Sequence, residues 1–308
     1  MNTQRPLAVV TGASTGIGYE IARELADGGH DLVIAAEGPD IHLAARRLAA
    51  RHPARPAQEV RAVRADLATY DGAETLVHEV HLRRRPVAVL VLNAGVGRAG
   101  RFLDTALADT ARVIDLNIAS TVHLARRLLP EMAAQGAGRL LVTSSVAAEL
   151  PGPYHAVHNA SEAFLYSFGL ALHEELAPYG VSVTVLLPGA TDTPFFARAG
   201  LLGTRLGRTR KDDPALVARQ ACRAMAAGRA RVVAGSPATR AGELAVHALP
   251  ARTRAALHRH GARPVHGRSG IAGRMAGRTA EAGLTGAAWS WAARRTRAGR
   301  RRRTGPRG

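Results

Sequence analysis

Short apolar runs alternate along the chain with longer amphipathic stretches. The runs predict strands at about 6–11, 31–36, 60–64, 87–92, 139–143, 181–187 and 231–234. The stretches between them predict helices near 17–27, 40–51, 71–84, 104–134, 155–177 and 214–227. Ile17, Ile21, Ala22 and Leu25 mark the apolar face of the first. Such alternation predicts one α/β domain, a doubly wound parallel sheet with right-handed crossovers. The runs 87–92 and 181–187 are almost wholly apolar, as strands covered on both faces are. Ligands of such sheets bind beyond the carboxyl ends of the strands.

At the end of the first strand the chain reads TGASTGIG, Thr11 to Gly18. Gly12 permits a tight turn, Gly16 lets backbone approach a phosphate, and Gly18 lets the helix pack closely on the strand. With Ser14, Thr15 and Ile17 they form a strand–turn–helix unit that offers backbone N–H groups to a pyrophosphate.

The spacing TGxxxGxG resembles that of the short-chain dehydrogenase/reductase family, and the resemblance continues in order to about residue 250. Asp66-Leu67 follows the third strand, Asn93-Ala94-Gly95 the fourth, and Asn117 lies in the next helix. Ser144-Ser145 follows the fifth strand, and Pro188-Gly189 with Thr193 the sixth. The resemblance implies a Rossmann fold and hydride transfer between nicotinamide and a carbonyl or secondary alcohol. It assigns Asp66 and the Leu67 backbone to adenine, Asn93-Ala94-Gly95 to the ribose floor, and Pro188, Gly189 and Thr193 to the nicotinamide amide. Asn117 would hold a bent backbone and relay protons, and Ser145 would bind the substrate oxygen. By its own chemistry Asp66 could instead cap the following helix, though its place in the motif series favours the cofactor, and Asn117 reads equally well as a polar residue on a helix surface.

The family's signature tyrosine and, four residues on, lysine are replaced. His158 stands thirteen residues after Ser145 in the tyrosine position, and Glu162 in the lysine position. The two share a helix face, with Tyr154 four residues further back on the same side. Two readings follow. In one, an imidazolium–carboxylate couple replaces the tyrosinate–lysinium couple: His158 gives and takes the proton, and Glu162 orients it and raises its pKa. In the other, reductase chemistry is lost, and the protein binds NAD(H) or a protein partner.

Cofactor choice rests on the end of the second strand, Ala35-Ala36-Glu37-Gly38. Glu37 suits a ribose 2′-hydroxyl and repels a 2′-phosphate, and Thr15 is not basic, so NAD(H) is favoured over NADP(H). No metal site is assigned. The substrate pocket falls to segments 146–157 and 195–213, the latter a lid, and the substrate is a small carbonyl or alcohol. Asp213-Pro214 predicts a helix start.

The net charge of +18 suggests a polyanion partner until it is located: residues 251–308 hold fifteen Arg and one Glu. Lys211 is the only lysine, so the arginine reads as coding bias, and nucleic-acid or anionic-membrane contact by the tail is disfavoured. The domain is bounded at 1–250, with 251–308 a basic Ala/Gly/Arg-rich tail, mostly disordered, that contains Trp289 and Trp291. One cysteine, Cys222, and no apolar run long enough for a membrane helix make a cytoplasmic setting the expectation. The long helices 104–134 and 155–177 are those through which family members form homodimers and homotetramers.

Overall fold

The computed structural model describes residues 5–51 and 58–263. Its strands are β1 (Leu7–Thr11), β2 (Asp31–Ala36), β3 (Val60–Arg64), β4 (Val87–Leu92), β5 (Gly138–Thr143), β6 (Val181–Pro188) and β7 (Arg231–Ala234). They form one sheet, order β3-β2-β1-β4-β5-β6-β7, with every pairing parallel. The longer helices are α1 (Gly16–Asp27), α2 (Asp40–Ala49), α3 (Tyr70–His81), α4 (Leu107–Ile114), α5 (Ser120–Ala134) and α6 (Ala156–Leu176). Two short ones, α7 (Phe195–Arg198) and α8 (Arg205–Arg208), precede α9 (Pro214–Ala226), α10 (Pro237–His247) and α11 (Ala251–Ala262).

Successive strand residues face opposite sides, so the sheet divides the core in two. Leu7, Val9, Leu90 and Leu92 pack with Leu76, Leu124 and Leu128 from α3 and α5. Ala8, Val10, Val89 and Val91 pack with Ile21, Leu25, Val217 and Ala221 from α1 and α9. This is the doubly wound Rossmann architecture that the alternation predicts. The order reverses between β1 and β4, and a crevice opens beyond their carboxyl ends. Asp213 caps α9, its carboxylate accepting from Ala215 N at 2.9 Å, with Pro214 in the first turn.

Two stretches depart from the expected elements. The helix predicted over 104–134 is broken: a 3₁₀ turn (Phe102–Asp104) precedes α4, and a π-helical turn (Asp115–Ala119) joins α4 to α5. That turn carries Asn117, which is fully buried, so the surface reading of this residue is overturned. Folding also continues past residue 250, the expected end of the domain. Ser236 caps α10, its hydroxyl accepting from Thr239 N. In α11 only Ala262 is buried, so the helix has almost no apolar stripe to read. Polar bonds attach it instead: Arg254 Nη1 donates to Glu149 O at 2.7 Å, and His258 Nδ1 lies 3.2 Å from Pro153 O. The rest of the expected tail, 264–308 with Trp289 and Trp291, lies outside the described residues. No helix among the described residues is long and apolar enough to cross a membrane.

Candidate active site

The glycine turn is built as its sequence requires. Gly12 and Gly16 have φ of +67° and +64°, in the left-handed region that favours glycine. A Cβ on Gly18 would lie 2.4 Å from both Asn93 Nδ2 and Gly12 O, so only glycine lets α1 meet the strand ends. Asn93 fastens three strands: Nδ2 donates to Thr11 O and Gly12 O, and Oδ1 accepts from Thr143 Oγ1. Ala94 N donates to Thr11 Oγ1, and Gly95 sits against Asn117 Oδ1. Thr15 precedes α1 without a side-chain cap, and the first turn holds no acidic residue. Its free N–H groups, beside the half-buried Ser14 and Ile17, therefore fit an anion such as a pyrophosphate. From across the crevice Arg198 Nη2 donates to Thr15 Oγ1 at 3.1 Å, and Thr193 packs against Gly16. Behind Pro188 and Gly189, Asp212 N donates to Ala190 O, and Thr239 Oγ1 donates to Asp212 Oδ2 at 2.6 Å.

The catalytic candidates meet at the start of α6. Asn117 Oδ1 accepts from Val96 N at 2.9 Å, and its Nδ2 donates to Val96 O (3.0 Å) and Ser161 Oγ (2.9 Å). The π turn thus ties the loop after β4 to α6. His158 stands on that tie, its Nδ1 3.2 Å from Val96 O and 3.5 Å from Glu162 Oε1. Ser144 donates its hydroxyl to Glu162 O at 2.9 Å. Ser145 opens the 3₁₀ turn Val146–Glu149; its Oγ accepts from Ala147 N at 3.1 Å, which leaves the O–H to donate elsewhere.

The expected imidazolium–carboxylate couple is not what this environment favours. Burial pushes His158 down to about 4, with the Val96 contact working against it. Burial pushes Glu162 up to about 8, with the neighbouring Ser144 hydroxyl working against it. Both shifts favour the neutral pair, imidazole and carboxylic acid, because neither charge is solvated inside the fold. Nor is Tyr154 on the helix: it has φ of +68° in the turn before α6.

His155 takes the place expected of Tyr154. Its ring lies 4.5 Å from that of His158 and 6.4 Å from that of His258 on α11. It is buried, its Nε2 has no partner among the described residues, and burial pushes its pKa down to about 2. Phe195 of the lid lies 5.3 Å from the His158 ring, and a Cβ on Gly97 would come within 3.0 Å of His155 Nε2. Lone histidines carry no sequence signal, and His258 sits where the pattern predicts no structure, so sequence reasoning missed both.

At the far end of the crevice Glu37 and Asp66 are joined by a residue the sequence did not single out. Arg112 of α4 bonds Glu37 Oε2 at 2.7 Å and the two Asp66 oxygens at 3.1 and 3.3 Å. Thr69, not Asp66, caps α3, accepting from Gly72 N. Leu67 is buried beside Asp66.

The profile described as short chain dehydrogenase matches residues 6–200. The uncharacterized oxidoreductase YmfI of Bacillus subtilis is 32% identical over 191 residues, 60% of this chain and 75% of that protein. Bovine 3-ketodihydrosphingosine reductase is 31% identical over 191 residues, 62% of this chain; the match spans only 58% of the bovine protein. A short-chain dehydrogenase from Sphingobium yanoikuyae in complex with NADPH superposes with a TM-score of 0.68 at 28% identity, covering 74% of this chain and 87% of the other. One from Burkholderia phymatum in complex with NAD gives 0.70 at 26% identity, covering 80% and 94%.

Proposed function

This chain belongs to the short-chain dehydrogenase family, and on that premise we propose that it is a nicotinamide-dependent oxidoreductase with a His158–Glu162 proton shuttle in place of the usual pair. A bound nicotinamide would supply or take the hydride at the substrate carbon. Gly12, Ser14, Thr15, Gly16, Ile17 and Gly18 would cradle its pyrophosphate. Asp66, Leu67, Asn93, Ala94 and Gly95 would hold the adenosine and ribose, and Pro188, Gly189 and Thr193 the carboxamide. NAD(H) is the cofactor of this reading, with Glu37 on the ribose diol.

The observation that carries the reading is the double contact of His158 Nδ1, 3.2 Å from Val96 O and 3.5 Å from Glu162 Oε1. These contacts correspond to two tautomers. With Nδ1–H on Val96 O, Nε2 is a bare lone pair, the base that alcohol oxidation needs. With Nδ1 accepting from the Glu162 carboxylic acid, Nε2 carries the proton, the acid that carbonyl reduction needs. In reduction Nε2 gives its proton to the developing alkoxide while Nδ1 takes the one on Glu162. Histidine stays neutral, and Glu162 is left as a carboxylate to be reprotonated. Asn117 fixes the Val96 carbonyl that selects between the tautomers. Ser145 would donate its O–H to the substrate oxygen.

Calorimetric titration with NADH, followed by turnover assays of wild type and His158→Ala on a panel of ketones and secondary alcohols, tests this. NADH binding with turnover that His158→Ala abolishes is the expected result. Binding with a rate unaffected by the substitution would sink the shuttle and leave the non-catalytic binder.

A homo-oligomer belongs to the same reading. An apolar groove along α5 and α6, lined by Val122, Leu129, Phe168 and Leu172, supports pairing with a second copy, and sedimentation velocity checks it. A reducing, cytoplasmic setting suits Cys222, whose thiol burial pushes up to about 12.

A further inference from the structure

Position alone makes Glu37 an unopposed carboxylate at the end of β2, hostile to a phosphate. In the fold it is opposed. Arg112 Nη2 lies 2.7 Å from Glu37 Oε2, and Arg64 at the end of β3 donates its Nε to Glu37 O at 3.1 Å. Two guanidinium groups therefore stand at the point where the adenosine 2′ position falls in the proposed dinucleotide site.

The two carboxylates that hold Arg112 are not equally fixed. Asp66 Oδ1 also accepts from Ala68 N at 3.1 Å, and its side chain is 33% exposed. The Glu37 side chain is 64% exposed, so it can rotate into water at small cost. When it does, Arg112 stays anchored on Asp66 with one N–H edge released. A phosphomonoester dianion binds such an edge more strongly than a carboxylate does, by charge and by its extra oxygens.

We propose that Arg112 and Arg64 form a masked subsite for the 2′-phosphate of NADP(H), with Glu37 as the mask. The Glu37–Arg112 ion pair, not a residue of the glycine turn, then sets the choice between the two dinucleotides. For NAD(H), Arg112 acts as a positioning residue that holds the Glu37 carboxylate toward the ribose hydroxyls. For NADP(H), Glu37 leaves and Arg112 takes the phosphate. The proposal rests on the dinucleotide-binding reading above.

The test is a binding cycle by calorimetry with NADH and NADPH on the full chain. The proteins are wild type, Glu37→Ala, Arg112→Gln and the double variant, with melting temperature as the folding control. Wild type is expected to favour NADH. Glu37→Ala is expected to gain about tenfold or more in NADPH affinity, a gain that shrinks with added salt. In the double variant that gain disappears. Arg112→Lys keeps a point charge without the fork and is expected to fold and to recover only part of it. An equal NADPH gain with and without Arg112 would overturn the subsite, since relief of repulsion alone would then explain it. Failure of every protein to bind either dinucleotide would overturn the dinucleotide reading, and this proposal with it. NADH binding without an Arg112-dependent gain overturns only the masked subsite.

Discussion

The two ends of the crevice each pair a carboxyl group with a basic side chain, and they settle into opposite states. At the Glu37 end Arg112, Glu37 and Asp66 are partly exposed and joined by bonds of 2.7 to 3.3 Å. At the catalytic end His158 and Glu162 are buried, and burial drives both toward neutrality. Water makes the difference. A guanidinium stays charged in any protein setting, and the open end solvates what it does not pair. The closed end offers no solvation, so its pair keeps a proton that can be moved. One end holds paired side chains in the reach of water, and the other keeps its pair away from it.

Perturbing the closed end has the largest expected effect. His158→Ala is expected to lower turnover by about 10²–10⁴-fold while leaving NADH affinity nearly intact, checked by steady-state kinetics beside calorimetry. Carbonyl reduction by the wild type is expected to fall as pH rises through about 8, where Glu162 loses its proton. Glu162→Gln should erase that limb of the pH–rate profile, and a limb that persists would assign it to another group. Next comes Asn117→Ala, which strips partners from Val96 N and O and from Ser161. Its cost is expected at about 2–3 kcal/mol in urea unfolding, with turnover reduced as His158 loses its support.

Stability against pH sharpens the contrast further. His155 and His158 have folded pKa values below their unfolded one, so the unfolded chain binds more protons in acid. Stability is therefore expected to fall as pH drops from about 6.5 toward 4, by up to about 1.4 kcal/mol per pH unit for each histidine. Glu162 has the opposite sign: its raised folded pKa makes a stabilising contribution that is lost as pH rises through about 8. Urea midpoints across pH should thus peak between the two limits. The smallest effect is expected at the open end. Glu37→Ala should change unfolding free energy by about 0.5 kcal/mol or less, since an exposed ion pair gains little over water.

Much of the backbone geometry at the candidate site was legible in the sequence. Local rules act on the glycine turn, where a missing Cβ and an uncapped helix start are properties of a few consecutive residues. The same holds for Asp213-Pro214 and for the apolar runs that became β4 and β6. The departures share a different cause. Periodicity places Asn117 in a continuous helix, and only its contacts with Val96 and Ser161 account for the π turn that buries it. His155 and His258 lie 103 positions apart, and no periodicity brings their rings together. α11 lacks an apolar stripe and is attached by Arg254 and His258.

What the sequence determined by itself was the order of strands and helices, the glycine turn, and the identity of the two exchanged residues at 158 and 162. Periodicity, turn chemistry and residue type are all local. What only the tertiary structure decided was the setting of the charges: that burial drives His158 and Glu162 toward their neutral forms, and that Glu37 is answered by an arginine 75 residues away. Protonation and pairing depend on how much water and which neighbours surround a group, and the fold sets both.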